Sequence, residues 1–122
     1  MLARDAILKK NYPEAEKQFN WVIDNSKINS IRQIARIRLA RVFIAEKKPK
    51  DAVNELQTVE DKSFDGLTDE VRGDAYLAMN NTEMARQSYQ HALAELPNAD
   101  VIRPLLRMKY DNLAITTIQS AS

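Results

Sequence analysis

The stretch GDAYLAMNNTEMARQSYQHALAELP, residues 73–97, decides the fold of this chain. Helix-forming residues fill both halves, and Asn80 and Asn81 stand between them as turn residues. Within it, small and aromatic residues recur at fixed places: Gly73, Tyr76, Ala85, Tyr89, Ala92 and then Pro97. Because small residues let two helices approach closely while an aromatic ring fills the remaining gap, the stretch predicts a helical hairpin.

The same spacing occurs twice earlier in the chain. Leu2-Ala3-Arg4 returns 37 residues later as Leu39-Ala40-Arg41, and Gly73 follows Ala40 by another 33 residues. A small residue, an aromatic, Ala-x-x-x-aromatic-x-x-Ala and a proline form the tetratricopeptide pattern of roughly 34 residues. The sequence therefore predicts an all-α, tetratricopeptide-like right-handed α-solenoid with three helical hairpins and a C-terminal capping helix.

The predicted organisation is a single domain over residues 1–122. Repeats are expected near 2–25, 29–59 and 67–96, a capping helix near 101–115, and a frayed polar tail at 116–122. Within the repeats the helices are predicted near 2–10, 13–25, 29–47, 50–59, 67–79 and 82–95. Since a terminal helix has one face without a neighbour, the capping helix should be polar outside, through Arg103, Arg107, Lys109 and Asp111.

Composition excludes much of enzyme chemistry. The chain has no cysteine, one histidine and two glycines, so it holds no thiolate nucleophile, no His-His metal motif and no glycine-rich phosphate loop. His91 is expected on an outward helix face, while Ser63 and Ser88 have no identifiable His and acid partners. We therefore predict no catalytic, cofactor-binding or metal-binding residue, and a protein that is not an enzyme.

Charge and hydropathy bear on the possible partners. Eighteen basic and 17 acidic residues give a net charge of +1, so nothing draws the whole chain to nucleic acid or to a membrane surface. No window approaches the roughly 18 apolar residues of a membrane span, and the charged N-terminus is unlike a signal peptide. The sequence is expected to be a soluble chain, or a soluble piece of a longer protein.

A protein-binding groove is the main functional candidate. In tetratricopeptide arrays the first helix of each repeat lines a concave surface, and residues at equivalent positions form columns across it. A mostly basic column beside an apolar one could hold a peptide, with arginines binding its carboxylates and the groove its side chains. The alternative is that the apolar column is buried and the arginines pair with nearby acids. The first column is Arg4, Arg41, Asp74 and Arg107, and the second is Ile7, Ile44, Leu77 and Tyr110.

The charges are unevenly distributed along the chain. Residues 31–50 carry seven basic side chains against Glu46 alone, whereas residues 55–74 carry seven acidic ones against Lys62 and Arg72. These segments are expected to neutralise each other across a repeat interface or to be solvated; a bipolar surface that steers a partner is the alternative. Trp21 is expected to pack against the next repeat rather than to be an exposed hot spot.

Three segments together resemble a known family. They are IRLARV at 37–42, DEVRGDAYL at 69–77 and LRMKYDNL at 106–113. In order and spacing they are similar to the C-terminal domain of YfgM-type proteins, which are bacterial ancillary subunits of the Sec translocon. The resemblance covers nearly the whole chain, and the ending Met-Lys-x-x-Asn-Leu is its most distinctive part.

The resemblance implies a location and partners. Such proteins have one membrane-spanning helix, absent from this chain, and carry this domain on the periplasmic face of the inner membrane. They associate with translocon subunits and with a membrane-anchored prolyl-isomerase-like chaperone, and some are linked to envelope-stress signalling. The second interpretation is a general tetratricopeptide scaffold for another cell-envelope assembly, such as division coordination. A homodimer through an incompletely covered first helix is a further expectation.

Overall fold

The computed structural model of the chain describes the backbone of residues 11–121 and the side chains of residues 11–99 and 101–113. The predicted helix at 2–10, with Arg4 and Ile7, lies outside the described residues. The described part is all-α, with a single 3-10 turn at Lys62–Phe64 and no strand. Its helices are α1 (Tyr12–Asn25), α2 (Asn29–Ala45), α3 (Pro49–Leu56), α4 (Asp65–Ala78), α5 (Thr82–Glu95), α6 (Ala99–Ile102) and α7 (Pro104–Ala121).

Helix starts follow the local sequence. The side chains of Asn11 and Asn81 accept hydrogen bonds from backbone N–H groups three residues on, which caps α1 and α5. Pro49 and Pro104 each begin a helix, where a missing N–H costs least. The capping helix predicted at 101–115 is divided into α6 and α7, because Arg103 before Pro104 leaves helical geometry.

Helices α2 and α4 end in the same way, one repeat apart. Lys47 and Asn80, 33 residues apart, both have positive φ, at 64° and 61°. The next N–H bonds back to the carbonyl five residues earlier, Lys48 to Phe43 at 2.8 Å and Asn81 to Tyr76 at 2.9 Å. This pairing is the Schellman motif, so both hairpins turn through one kind of helix end.

The first compact unit extends to Phe64 and contains α1, α2 and α3. Its core joins Ala15 and Phe19 of α1 to Leu39 and Val42 of α2. The predicted small positions Ala15, Ala40 and Ala52 are completely buried, which confirms their role in close helix packing. Trp21, in contrast, is 65% exposed, so the prediction that it packs against the next repeat is wrong.

The second unit begins at Asp65 and contains α4 to α7. Ala85, Tyr89 and Ala92 of α5 form its core with Leu106 and Leu113 of α7. An added Cβ at Gly73 would lie 2.5 Å from the ring of Tyr89, so α4 and α5 approach more closely than any other residue would permit. The small and aromatic residues of the deciding stretch therefore pack as predicted.

Helix α7 differs from the predicted cap in two respects. It continues to Ala121, through the segment where the sequence predicts fraying. Its polarity is also partly reversed, because Arg103 and Lys109 make ion pairs with acids of α4 while Leu105 and Met108 are exposed. The prediction of a polar outer face is wrong for these two cations. None of the helices in the described part of the chain combines the length and the hydropathy of a membrane span.

Candidate protein-interaction surfaces

Helix α2 presents an exposed stripe with an apolar half and a basic half. Ile31 and Ile34 are 43% and 37% exposed, and Arg38 and Arg41 continue the same face at intervals of three and four residues. The adjoining side of α2 carries Ala35, Leu39 and Val42 into the core of the first unit. We call the four exposed residues the α2 stripe.

Two of the predicted groove residues lie on this helix. Arg41 belongs to the α2 stripe, whereas Ile44 is half-buried at its C-terminal end. The two columns of equivalent repeat positions do not include Ile31, Ile34 or Arg38. The signal that finds them is the three- and four-residue spacing along α2 itself, once the core face is known.

Two other arginines of α2 have partners within the first unit. Arg36 donates to the hydroxyl of Thr58 at 3.1 Å and lies 3.9 Å from a carboxylate oxygen of Glu55. Arg32 donates to the carbonyl of Ser26 at 2.7 Å. Glu55 of α3 therefore offsets the charge of Arg36, and Arg38 and Arg41 form the exposed basic part of the α2 stripe.

In the second unit, two segments of the family resemblance meet in one ion network. Glu70 is 3% exposed; it pairs with Arg103, and Lys109 Nζ lies 3.6 Å from its second oxygen. Lys109 also lies 3.0 Å from Asp74, which accepts a 2.5 Å hydrogen bond from the Tyr89 hydroxyl. The acids come from 69–77 and Lys109 from 106–113, so this network connects α7 to α4.

The remaining predicted groove residues of this unit are partly engaged inside it. Asp74 belongs to the ion network. Arg107 pairs with Asp111 at 3.2 Å and lies 5.9 Å from the ring centre of Tyr110, a cation–π distance. Tyr110 packs against the core, and Leu77 is 41% exposed. For Asp74, Arg107 and Tyr110 the contacts match the alternative of intramolecular pairing and burial.

Acidic side chains also meet at the end of α5. Arg72 donates to Asp69 at 2.5 Å, and Glu95 faces the same carboxyl. Partial burial, a hydrogen bond with Asp69 and the charges of Asp69 and Asp65 raise the pKa of Glu95 to about 7, against the opposing charge of Arg72. Glu95 and the Asp69–Arg72 pair therefore form a structural cluster at this helix end.

This cluster predicts a pH dependence. The folded chain holds on Glu95 a proton that the unfolded chain, with an ordinary pKa near 4.5, releases. Its contribution to the free energy of unfolding is therefore full below pH 4.5 and is lost as pH rises through about 7. Glu95→Gln should raise the melting temperature at pH 8 by roughly 1–2 °C, because Glu95 is exposed and screened, and should leave it unchanged at pH 4.

The control for this prediction is Glu83→Gln. Hydrogen bonds from Arg86 and Gln87 lower the pKa of Glu83, so removing that exposed, screened carboxylate should lower the melting temperature slightly at pH 8. The measurement is thermal unfolding by circular dichroism at both pH values. A Glu95→Gln effect of equal size at pH 4 and pH 8 would contradict the assignment.

The histidine and the acids that the sequence offers for catalysis lie on the surface or in ion pairs. His91 is exposed on α5, and the acids Asp69, Glu70 and Asp74 are each bound to a basic side chain of the same unit. Within the described side chains, no group of three or more potential ligands is placed to hold a metal ion.

Comparison with known proteins identifies the family and several relatives of this chain. The family described as a tetratricopeptide repeat-like domain matches residues 1–115. A protein of Neisseria gonorrhoeae named ancillary SecYEG translocon subunit is 36% identical over 104 residues, which are 85% of this chain and 50% of that protein. Proteins of the same name from Escherichia coli (23% identical, 93% of this chain, 55% of that protein) and Buchnera aphidicola from Schizaphis graminum (24%, 92%, 57%) also match.

The chain spans about half the length of these relatives. No solved structure matches it significantly. The resemblance to YfgM-type translocon subunits and the all-α, tetratricopeptide-like fold class are confirmed. This chain belongs to the tetratricopeptide repeat-like domain family, among relatives named ancillary SecYEG translocon subunits.

Proposed function

We propose that this chain is the protein-binding domain of an ancillary Sec translocon subunit, placed on the periplasmic face of the inner membrane. In this role it contacts translocon subunits and a membrane-anchored prolyl-isomerase-like chaperone, and so connects translocation to periplasmic folding. The names of the relatives and the repeat fold support the proposal. It involves no catalysis and no cofactor.

The α2 stripe carries the proposal. Ile31 and Ile34 expose branched apolar side chains that a partner could cover, and Arg38 and Arg41 follow at the end of the same face. A partner segment that suits this order has apolar residues at one end and carboxylates at the other, because arginine binds carboxylates with paired hydrogen bonds. Repeat proteins commonly bind partners through such continuous faces of their first helices.

Photo-crosslinking in bacterial envelopes tests the proposal. A photo-reactive residue at Ile34 of the natural full-length protein should give crosslinks to translocon subunits or to the chaperone. The same residue at Asn54, which is exposed on α3, is the matched control and should give few. If Ile34 crosslinks only to proteins of another envelope assembly, the general scaffold interpretation replaces the translocon one.

Charge reversal gives the quantitative prediction. Arg38→Glu together with Arg41→Glu should reduce the Ile34 crosslinks roughly five- to tenfold, since two favourable contacts become repulsive. Lys50→Glu is the control because Lys50 is exposed on α3 outside the stripe, and it should leave the yield unchanged. The yield is measured by immunoblot against the partner. An unchanged yield in the double variant would remove the α2 stripe from the interface.

A further inference from the structure

The outward side of the C-terminal helices is apolar. Ile102, Leu105 and Met108 are 68%, 61% and 59% exposed, and Val101 beside them is 81% exposed. Leu105 and Met108 lie one turn apart on one face of α7, and Ile102 and Leu105 border one cavity of about 240 Å³ together with Glu70. We call Ile102, Leu105 and Met108 the α7 patch.

The ion network around Glu70 holds this patch outward. Arg103 follows Ile102 in the chain and Lys109 follows Met108; both cations pair with Glu70 of α4, and Lys109 also pairs with Asp74. Turning the apolar residues inward would remove these cations from two acids, one of which is almost completely buried. The exposure of the α7 patch is therefore a consequence of the packing of the second unit.

The repeat register indicates what kind of element would cover the α7 patch. Ile102 and Leu105 follow Asp69 and Arg72 by 33 residues. In the preceding hairpin Asp69 and Arg72 lie beside Glu95, at the end of the second helix α5. The α7 patch thus occupies the position where a first helix meets its second helix, and no helix covers it in the described part of the chain. A helix is the natural occupant.

We propose that the occupant is α7 of a second copy of this chain, in an antiparallel pair. Arg107 and Asp111, a cation and an anion one turn apart, border the patch on the exposed side of α7. An antiparallel pairing about an axis near Met108 brings Arg107 of each copy close to Asp111 of the other. The face is therefore complementary to itself in charge as well as apolar, as a two-fold interface requires.

The size of the patch sets the strength of the pair. Side chains exposed to this extent form a patch on the order of 400 Å², within the range of the largest patches on ordinary monomers. Two such patches bury roughly 800 Å², below the approximately 1,200 Å² of a stable specific interface. The dimer is therefore weak and forms only at high protein concentration, or where copies are held close together.

Sedimentation equilibrium of the chain over a hundredfold range of concentration tests the proposal. The weight-average mass should rise from 14.0 kDa toward twice that value. Met108→Glu should keep the mass at that of the monomer, since it places two carboxylates at the centre of the pair. Met84→Glu is the matched control, because Met84 is 38% exposed on α5, and it should dimerise like the parent chain. Circular dichroism verifies that both variants are folded.

A mixing experiment tests the antiparallel arrangement. Arg107→Glu and Asp111→Arg alone each place like charges against each other and should stay monomeric. Mixed in equal amounts they should associate, because each Glu at 107 then meets an Arg at 111 of the other variant. Monomers at every concentration of the parent chain, or a dimer that persists in Met108→Glu, would overturn the proposal. A mixture that stays monomeric would overturn the antiparallel arrangement.

Discussion

Gly73→Ala should lower the free energy of unfolding by about 2 kcal/mol, although alanine is the better helix former by about 1 kcal/mol. The added methyl group would stand 2.5 and 2.6 Å from two ring carbons of Tyr89. That ring is completely buried, and its hydroxyl donates to Asp74, so it cannot move aside without losing core contacts and a hydrogen bond. Urea unfolding followed by circular dichroism measures the loss.

Gly66→Ala is the matched control on the same helix. There the new Cβ would stand 2.6 Å from the side chain of Leu96, which is half-buried and can adopt another rotamer. We expect a change of less than about 1 kcal/mol, because the gain in helix propensity offsets most of the crowding. Equal losses in the two variants would show that the closeness of α4 and α5 at Tyr89 has no special role.

Glu70→Gln is expected to cost about 2–4 kcal/mol and to loosen α7. The substitution keeps the shape of the side chain but leaves Arg103 without its anion and Lys109 with Asp74 alone. Breaking a buried ion pair by removing one partner is costly, since the remaining charges stay desolvated. Both cations are partly exposed, at 33% and 24% of their side chains, which keeps the cost below that of a fully buried pair.

Two readouts distinguish this effect from general destabilisation. Hydrogen exchange should increase first in α7, the helix that the network connects to α4. Glu83→Gln, which removes the exposed and screened Glu83–Arg86 pair on α5, should have a much smaller effect on stability and should leave α7 protected. If α7 stays protected in Glu70→Gln, the network does not hold it in place.

Much of the fold followed from spacing along the chain. Alanines at positions 15, 52 and 85 and the small residues Ala40 and Gly73 are all buried, as the repeat pattern predicts. Helix bounds agree to within a few residues from Tyr12 to Glu95, because Asn, Pro and left-handed turn residues act locally. The grouping of the repeats into one domain over residues 1–122 stays a prediction.

The candidate surface was predictable only in part. Arg41 was found from the repeat columns, and it lies on the exposed α2 stripe. The same rule selects Asp74, which lies in the ion network, and Arg107, which pairs with Asp111. A column gives the position of a residue in the repeat but says nothing about which neighbour neutralises it, since that depends on side chains far away in sequence. The binding role of the groove residues stays a proposal.

The sequence by itself determined the helices, their order and the small and aromatic contacts between paired helices, because these depend on spacings within one repeat. Only the tertiary structure decided which face of the last helices is exposed. By composition the capping segment could turn either its arginines and lysine or its leucines and methionine outward. The acids Glu70 and Asp74 of α4 bind Arg103 and Lys109, and this leaves Leu105 and Met108 exposed. A helix is oriented by the charges and cavities of the surface on which it packs, and these exist only after the other helices have assembled.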